Sequence, residues 1–320
     1  MRGATSLIAA VAMLAATGCG AEQRAAPAAG TPRPVRLALD FTPNAVHAGI
    51  YGAVLAGADR ERGLALRVRQ PASGPDGLKL LASGRVDVGV LDIHDLGLAR
   101  ERDVDVVGIG ALVQRPLAAV IARGEVRRPR DLEGRRVGVT GLPSDDAVLR
   151  AVVEDDGGRF ERVRRVTIGF SAVPSLVAGK VDAVTAFWNV EGVALRERGV
   201  RTREFKVEQF GAPVYPEVVL VAMRRTVDRD PGLVARVRAA VAAGTELALR
   251  DPEPVLSRIA ALSGGDEELV RAQFEAVRPT LRPPLRLDRR ALEAWAAWDA
   301  RFGILAERPD VARAFSRGPA

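Results

Sequence analysis

A short motif that occurs twice constrains the fold of this chain more than any other feature. Residues 81–88 (LASGRVDV) are echoed at residues 176–183 (LVAGKVDA), and the offset is 95 residues throughout. Each copy is typical of a helix end, a glycine that caps it and the start of a strand. The recurrence predicts two similar lobes that contain the same helix–turn–strand unit. The alternative interpretation is a common turn that happens to precede two strands.

Strand-like and helix-like segments alternate on both sides of this repeat. Apolar or alternating runs predict strands at 35–39, 64–69, 86–91, 104–111, 137–140, 163–168, 181–186 and from 218. Helical periodicity predicts helices at 45–62, 77–83, 96–102, 145–154, 175–178, 232–250, 253–262, 267–277 and 288–302. Such alternation favours an α/β architecture with mostly parallel sheets, whose ligands bind beyond the carboxyl ends of the strands. We therefore expect residues 92–95 and 187–191 to face each other.

Composition excludes several classes of protein and site. The 320 residues are 48% hydrophobic and 27% charged, which is ordinary for a folded globular chain. One cysteine excludes an internal disulfide and a cysteine-clustered metal site, and two histidines leave little for a histidine-rich one. We therefore predict no metal and no cofactor. The net charge of +7 comes from arginines interspersed with acidic residues, so we expect no nucleic-acid partner.

The first residues are typical of a targeting segment. Arg2 is followed by an apolar stretch of about ten residues, too short to span a bilayer. Small residues then lead directly to Cys19, as in a bacterial lipobox. We predict a lipoprotein signal peptide at 1–18, lipidation of Cys19 and a flexible tether at 19–33 that is rich in Ala and Pro. An ordinary secretory signal with an incidental cysteine is the alternative.

Five segments carry a resemblance to a known family. Residues 39–51 (LDFTPNAVHAGIY) resemble the D-W-T-P-N-x-x-H-x-G-x-Y signature of the NMT1/THI5-like substrate-binding proteins of ABC importers. Further agreement lies at 90–96, 111–117, 186–193 and 210–217, so the resemblance spans about residues 35–305. Phe41 departs from the signature, since it keeps an aromatic face but lacks the indole donor of Trp.

This resemblance implies a two-lobed type II periplasmic-binding-protein fold with a ligand cleft between the lobes. We place lobe 1 at 34–121 and 218–320, and lobe 2 at 122–217. The implied protein is a monomer, lipid-anchored outside the cytoplasm, that passes a small ligand to an ABC permease and its ATPase. The branch with the most similar motifs binds thiamine pyrimidine precursors, formylaminopyrimidine or hydroxymethylpyrimidine. Other branches bind riboflavin, sulfonates or other small solutes, and a signalling or scaffold role without transport is a further alternative.

The matched segments contain residues suited to a flat aminopyrimidine. Aromatic rings can stack on its faces, and carboxyl or amide groups can pair with its ring nitrogens and amine. Offset or edge contacts of this kind contribute roughly 0.5–1.5 kcal/mol per pair beyond area burial. The predicted ligand-binding residues are Asp40, Phe41, Asn44, His47, Tyr51, His94, Trp188, Asn189, Glu191 and Tyr215.

Several of these residues also have a plain structural interpretation. Asn44 and Thr42 suit the N-cap of a helix as well as they suit ligand contact. His47 and His94 could be satisfied core histidines. Trp295 and Trp298, three residues apart, are expected in the core. At the 141–144 turn, Asp145 and Asp146 suit the helix dipole as caps, which is favoured over ligand contact.

An enzyme of the same superfamily is the rival from another class. The yeast-type pyrimidine synthase, which this chain resembles, carries pyridoxal phosphate on a lysine four residues before a histidine. His94 matches that histidine, but the position four residues earlier is Val90, which cannot form a Schiff base. The resemblance therefore implies a binding protein and no catalytic residues.

Overall fold

Two five-stranded sheets organise the chain in a computed structural model, which describes residues 31–316. The predicted signal peptide (1–18), Cys19 and most of the tether (19–33) lie outside the described residues. The ten strands are β1 Arg33–Ala38, β2 Leu64–Arg69, β3 Val88–Asp92, β4 Val106–Ala111, β5 Ala118–Arg123, β6 Arg136–Val139, β7 Arg164–Thr167, β8 Ala183–Phe187, β9 Thr202–Lys206 and β10 Val218–Met223.

Helices follow most of these strands and close the fold at its C-terminal end. They are α1 Ala48–Leu55, α2 Asp76–Ala82, α3 Ile93–Glu101, α4 Pro143–Asp155, α5 Ala172–Val177, α6 Val193–Glu197, α7 Arg224–Arg229, α8 Pro231–Arg250, α9 Glu253–Ser263, α10 Glu267–Val277, α11 Arg289–Arg301 and α12 Val311–Ala314. None of the helices between residues 31 and 316 is both long and apolar enough to cross a membrane.

The two sheets have the same topology. Their strand orders are β2-β1-β3-β10-β4 and β7-β6-β8-β5-β9. In each sheet four strands run in one direction. The antiparallel strand, β10 or β5, lies fourth in the order, between β3 and β4 or between β8 and β9. The two-lobed α/β fold is therefore confirmed.

The repeated motif builds the same local structure in both sheets. Gly84 and Gly179 adopt the left-handed conformation, with φ of 71° and 67°, at the end of α2 and α5. The aspartate that follows each glycine accepts a hydrogen bond from the backbone N–H of an arginine on the neighbouring strand, Arg36 for Asp87 and Arg136 for Asp182. Each arginine side chain also donates to the carbonyl of its glycine. The two copies of the sequence motif therefore adopt the same local structure.

Element bounds differ from the sequence prediction in several places, and the short helix α6 was not predicted. The helix predicted at 45–62 ends at Leu55, because Gly57 turns the chain with a φ of 70°. Strands β5 and β9 were not predicted, since β5 is an alanine-rich apolar run and β9 is a charged edge strand. The lobe boundary predicted between residues 121 and 122 falls inside β5, which pairs along its length with β8. The division into lobes at particular residues stays a prediction.

Apolar side chains cover both faces of both sheets. Helices α1, α8, α9 and α10 contribute to the core on one face of the first sheet. Trp295 and Trp298 lie in the core on its other face, as expected. Smaller clusters cover the two faces of the second sheet. This packing fixes the strand ends, from which the site is built.

Candidate ligand-binding site

A cavity of about 300 Å³ lies where the carboxyl ends of the parallel strands of both sheets meet. Its lining includes Asp40 and Asp92, at the ends of β1 and β3, and Thr140 and Phe187, at the ends of β6 and β8. Strand ends of this kind are where open α/β sheets bind ligands. Four of the ten predicted ligand residues line the cavity: Asp40, Phe41, Asn44 and Glu191.

The segment after β1 places two polar groups at the cavity wall. Asn44 is the N-cap of a short helix, because its Oδ1 accepts from the backbone N–H of Val46 at 2.9 Å. The backbone N–H of Asn44 donates to Nδ1 of His47 at 3.2 Å, and Nε2 of His47 lies 2.8 Å from Oδ1 of Asp40. These partners assign the proton to Nε2. His47 is fully buried behind Asp40 and lies outside the lining, so it orients that carboxyl.

Glu191 presents a second carboxyl from the π-helical turn Trp188–Gly192. Its Oε2 accepts from the backbone N–H of Phe187 at 3.1 Å. Burial raises the pKa of Glu191 to about 7, and the nearby carboxyl of Asp145 acts in the same direction. Asn189, in the same turn, is fully buried outside the lining, and its side-chain amide has no hydrogen-bond partner among residues 31–316.

The aromatic surfaces of the cavity are phenylalanines. The rings of Phe41 and Phe170 meet edge to face, with centroids 4.3 Å apart and an interplanar angle of 62°. Phe41 follows β1 of the first sheet and Phe170 follows β7 of the second. We call the residues built on the first sheet the first half of the site and those built on the second sheet the second half, and this contact joins the two halves. Phe187 adds a third ring.

Three rings predicted to contact ligand lie outside the lining. The indole N–H of Trp188 donates to the carbonyl of Pro116 at 3.2 Å, and Nζ of Lys206 lies 4.2 Å from its ring centroid. Tyr51 packs into the core beside the first sheet, and burial raises its pKa to about 12. Tyr215 is fully buried in the opposite core. The motifs place these residues close to the cavity, but the direction of each side chain depends on packing that a sequence pattern does not reveal.

His94, also predicted to contact ligand, lies beneath the cavity in a buried polar network. Its Nδ1 is 2.9 Å from Oδ2 of Asp299 and its Nε2 is 3.0 Å from the hydroxyl of Tyr215. Burial lowers the pKa of His94, but the carboxyls of Asp299, Asp92 and Glu217 outweigh it and raise the pKa to about 10. Burial and the charge of Glu217 raise the pKa of Asp92 well above its ordinary value.

A polar contact crosses the cavity between the two helix N-termini. Asp95, in the first turn of α3, accepts from the backbone N–H and the hydroxyl of Ser144, in the first turn of α4, at 3.3 Å and 3.0 Å. Burial raises the pKa of Asp95 to about 7, although the Ser144 hydrogen bonds oppose that change.

Asp145, next to Ser144, accepts hydrogen bonds from residues of the second half. The hydroxyls of Thr140 and Thr185 donate to it at 2.6 Å and 2.7 Å. Its Oδ2 also accepts from the backbone N–H groups of Gly141 and Leu142, which is the capping role predicted from the sequence.

A profile of the NMT1/THI5-like family matches residues 44–255, which is most of the chain. The chain belongs to the NMT1/THI5-like family. Among proteins of this kind, it is 32% identical over 226 residues to a formylaminopyrimidine-binding protein of Halalkalibacterium halodurans, covering 70% of this chain and 68% of the relative.

Relatives of this NMT1/THI5-like protein also include enzymes. It is 23% identical over 232 residues to a 4-amino-5-hydroxymethyl-2-methylpyrimidine phosphate synthase of Saccharomyces cerevisiae, covering 68% of each chain. Among solved structures, the alkanesulfonate-binding protein SsuA from Xanthomonas axonopodis pv. citri, bound to MOPS, superposes with a TM-score of 0.73 at 19% identity. That superposition covers 90% of this chain and 100% of SsuA, and it shows the shared fold.

Several residues of this NMT1/THI5-like site were not predicted from the sequence. Phe170 and Ser144 line the cavity from the part of the chain built on the second sheet, and Arg102 is the one basic side chain that residues 31–316 contribute to the lining. Phe170 lies in a glycine-containing turn after a strand, a signal that marks a strand end but not the direction of the ring. Asp95 was identified as lying beyond a matched strand, but its partner Ser144 is 49 residues away and only the fold brings them together.

Proposed function

We propose that this protein is the extracytoplasmic solute-binding component of an ABC importer, with a thiamine pyrimidine precursor as its ligand. The ligand would be formylaminopyrimidine or hydroxymethylpyrimidine, held in the cavity between the two sheets. The observation that carries the proposal is the cavity's lining, which combines phenylalanine rings with carboxyl groups. Its volume of about 300 Å³ suits a small ligand.

The charges of the lining favour an amine-bearing ligand over an anion. Among residues 31–316, five carboxyl groups line the cavity, those of Asp40, Asp92, Asp95, Asp145 and Glu191, whereas Arg102 is the only cationic side chain there. A sulfonate needs hydrogen-bond donors and positive charge, and like charges in a buried site repel. The fold is shared with a sulfonate-binding protein, but these side chains do not support the same ligand class.

Glu191 can pair with an aminopyrimidine through two hydrogen bonds. A neutral carboxylic acid donates one hydrogen bond and accepts another. With a pKa of about 7, Glu191 is substantially protonated near neutral pH. It can then donate to a ring nitrogen and accept from the neighbouring exocyclic amine. Phe41, Phe170 and Phe187 supply apolar surface for the ring faces.

Isothermal titration calorimetry of the purified protein tests the ligand. Formylaminopyrimidine or hydroxymethylpyrimidine should bind saturably with one site per chain, and an alkanesulfonate and riboflavin should give no heat beyond dilution. Tight binding of either comparison ligand, with no response to the pyrimidines, would remove the ligand proposal and keep the receptor proposal.

We propose binding without turnover. The synthases that resemble this chain require a lysine at the position of Val90, and Val90 is fully buried within β3. The lysines of the chain, Lys79, Lys180 and Lys206, are outside the cavity lining. After prolonged incubation with protein, mass spectrometry should recover the pyrimidine unchanged. A new product formed at a rate proportional to protein concentration would revive the enzyme alternative.

The proposal includes a monomer that is lipid-anchored through Cys19. Cys19→Ser should move the protein from the membrane fraction to the soluble extracytoplasmic fraction, because the thioether to lipid cannot form. Two lipid chains anchor a protein stably, and their loss removes that anchor. A Ser6→Ala variant, altered in the same segment, serves as the control and should stay with membranes. Unchanged membrane association of Cys19→Ser would contradict the anchor.

A further inference from the structure

Three side chains beneath the cavity converge in a way that the proposed ligand does not use. Asp92, His94 and Glu217 each offer one ligand atom, and these atoms all lie within 4.8 Å of one another. We propose that Asp92, Nε2 of His94 and Oε1 of Glu217 form a binding site for a divalent transition cation such as Zn²⁺. This inference does not depend on the identity of the organic ligand.

The donor set suits such a cation. One imidazole nitrogen with two carboxylate oxygens is a set that Zn²⁺ accepts, at about 2.0–2.2 Å from each atom. Nε2 of His94 and Oε1 of Glu217 are 3.9 Å apart. Closing the three atoms onto an ion therefore takes side-chain shifts of under about 1 Å.

An unsatisfied atom points into the site. Glu217 is fully buried, and its Oε1 has no hydrogen-bond partner among residues 31–316. Its other oxygen, Oε2, accepts from the backbone N–H groups of Leu117 and Ala118 at 2.7 Å and 3.1 Å. Buried polar atoms are almost always satisfied, and a bound cation would satisfy this one.

Carboxyl groups surround His94 on more than one side. Asp92, Glu217 and Asp299 surround one imidazole, and within residues 31–316 none of the three forms an ion pair with an arginine or lysine. A divalent cation bound here would pair with the carboxyl groups that ionise around it.

A second layer of contacts orients His94 as a metal ligand would require. Oδ2 of Asp299 lies 2.9 Å from Nδ1, and the indole nitrogen of Trp295 lies 3.2 Å from the same atom, so both hold the ring with Nε2 toward Glu217. Carboxylates that accept from the far nitrogen of a histidine are the usual support of a metal-bound imidazole. The hydroxyl of Tyr215, 3.0 Å from Nε2, lies beside the site as a further oxygen donor.

The location gives the cation a route and a consequence. Asp92 lines the cavity, so an ion can reach the site from there. Glu217 ends the segment 210–217 and holds the start of β5, so it joins the two connections between the sheets. A cation bound here would tie the floor of the cavity to both connections.

Zinc uptake by the purified protein tests the site. We expect protein stripped with chelator, incubated with Zn²⁺ alone and desalted, to retain one Zn²⁺ per chain by elemental analysis. Zinc X-ray absorption should then show nitrogen and oxygen scatterers at about 2.0–2.2 Å and no sulfur. Uptake of no zinc, or binding only to surface groups with no imidazole scatterer, would overturn the proposal.

Two substitutions preserve the local hydrogen bonds and remove one ligand each. Glu217→Gln keeps an oxygen for the N–H groups of Leu117 and Ala118 while it replaces Oε1 by an amide nitrogen. Asp92→Asn likewise keeps the oxygen that caps α3. Each should weaken Zn²⁺ affinity at least tenfold while the circular dichroism spectrum is unchanged.

Glu275→Gln is the matched control, because Glu275 is an exposed carboxylate paired with Arg278. It should bind Zn²⁺ like the wild type. If one of the two ligand variants fails to fold, the other still decides the matter. Wild-type affinity in a folded Glu217→Gln or Asp92→Asn protein would contradict the assignment.

Discussion

Glu191 is the carboxyl in the cavity whose protonation should govern pyrimidine binding. Burial raises its pKa from 4.5 to about 7. The folded protein therefore holds this proton more tightly than the unfolded chain does. The stability contributed by the neutral form is present below pH about 4.5 and is lost as the pH rises through about 7. The same proton is needed for the donated half of the pairing with the ligand.

We predict that affinity for the pyrimidine falls as the pH rises above about 7, by up to about tenfold per pH unit. Glu191→Gln should keep the affinity near its low-pH value and flatten the profile, because an amide both donates and accepts. Glu191→Ala should lose affinity at every pH. Calorimetric titrations from pH 6 to 9 measure all three proteins.

Glu208→Gln, a half-buried carboxylate paired with Arg115, is the control and should keep the wild-type profile. A Glu191→Gln protein that retained the full pH dependence would assign that dependence to another group. The pairing argument would then fail even if binding itself persisted.

Phe170 is the aromatic side chain that the second half contributes to the cavity. Phe170→Ala should weaken pyrimidine binding about tenfold or more, since ring contacts add about 0.5–1.5 kcal/mol beyond area burial and 1.4 kcal/mol is tenfold. Phe210→Ala is the matched control, because that ring packs on Phe205 at a centroid distance of 6.1 Å and is outside the lining. Equal affinities of both variants would place the ligand elsewhere.

The pair α1 and α8 shows how closely two elements of the first half approach. A Cβ on Gly244 would lie 2.1 Å from the carbonyl oxygen of Gly49 and 2.2 Å from the backbone nitrogen of Ala53. Backbone cannot move aside as a flexible side chain can. Glycine at this crossing therefore permits the helix that follows the first strand to pack directly on α8.

We predict that Gly244→Ala destabilises the protein by about 1–3 kcal/mol or more, the usual cost of overpacking. Gly232→Ala, near the start of the same helix, is the control. There the nearest atom is the flexible guanidinium of Arg236 at 3.2 Å, so stability should change little. Urea unfolding compares the two variants, and equal midpoints would show that α1 can retreat from α8 without cost.

Sequence patterns predicted most elements and part of the site, for identifiable physical reasons. Strand β2 and helix α10 have the predicted bounds because period and burial agree over their whole length. The two glycine turns of the repeated motif, at Gly84 and Gly179, were also predicted correctly, because the left-handed conformation there favours glycine. Strand β9 was not predicted, because this edge strand is rich in charged residues and lacks the alternation of apolar and polar residues that marks a strand.

Side-chain direction is what the patterns could not supply. Tyr51 and His47 share a helical face, yet one packs in the core and the other supports Asp40. The distance of 2.9 Å between His94 and Asp299 joins residues 205 positions apart. Only the packed fold brings such partners together, so the strand-end residues were predictable and their long-range partners were not.

At the scale of the whole molecule, direct contacts join the parts built on the two sheets around the cavity. Asp95 accepts two hydrogen bonds from Ser144, and Phe41 touches Phe170. On the far side of the site, the amide of Gln273 donates to the carbonyl of Val190 at 3.3 Å. Contacts between the two sheets' residues stabilise the arrangement in which they meet and should slow the release of a ligand held there.

We predict that Asp95→Ala and Ser144→Ala each accelerate pyrimidine release several-fold while the association rate changes little, because interface changes act mainly on dissociation. The double variant should release ligand little faster than either single one, giving a coupling energy of about 0.5–3 kcal/mol. Stopped-flow fluorescence measures the rates. Asp146 lies on the same helix as Ser144 and forms an exposed ion pair with Arg165 of β7. Asp146→Ala is therefore the control and should leave the release rate unchanged. Additive effects of the two substitutions would mean that Asp95 and Ser144 act separately, and closure would then depend on the aromatic contact.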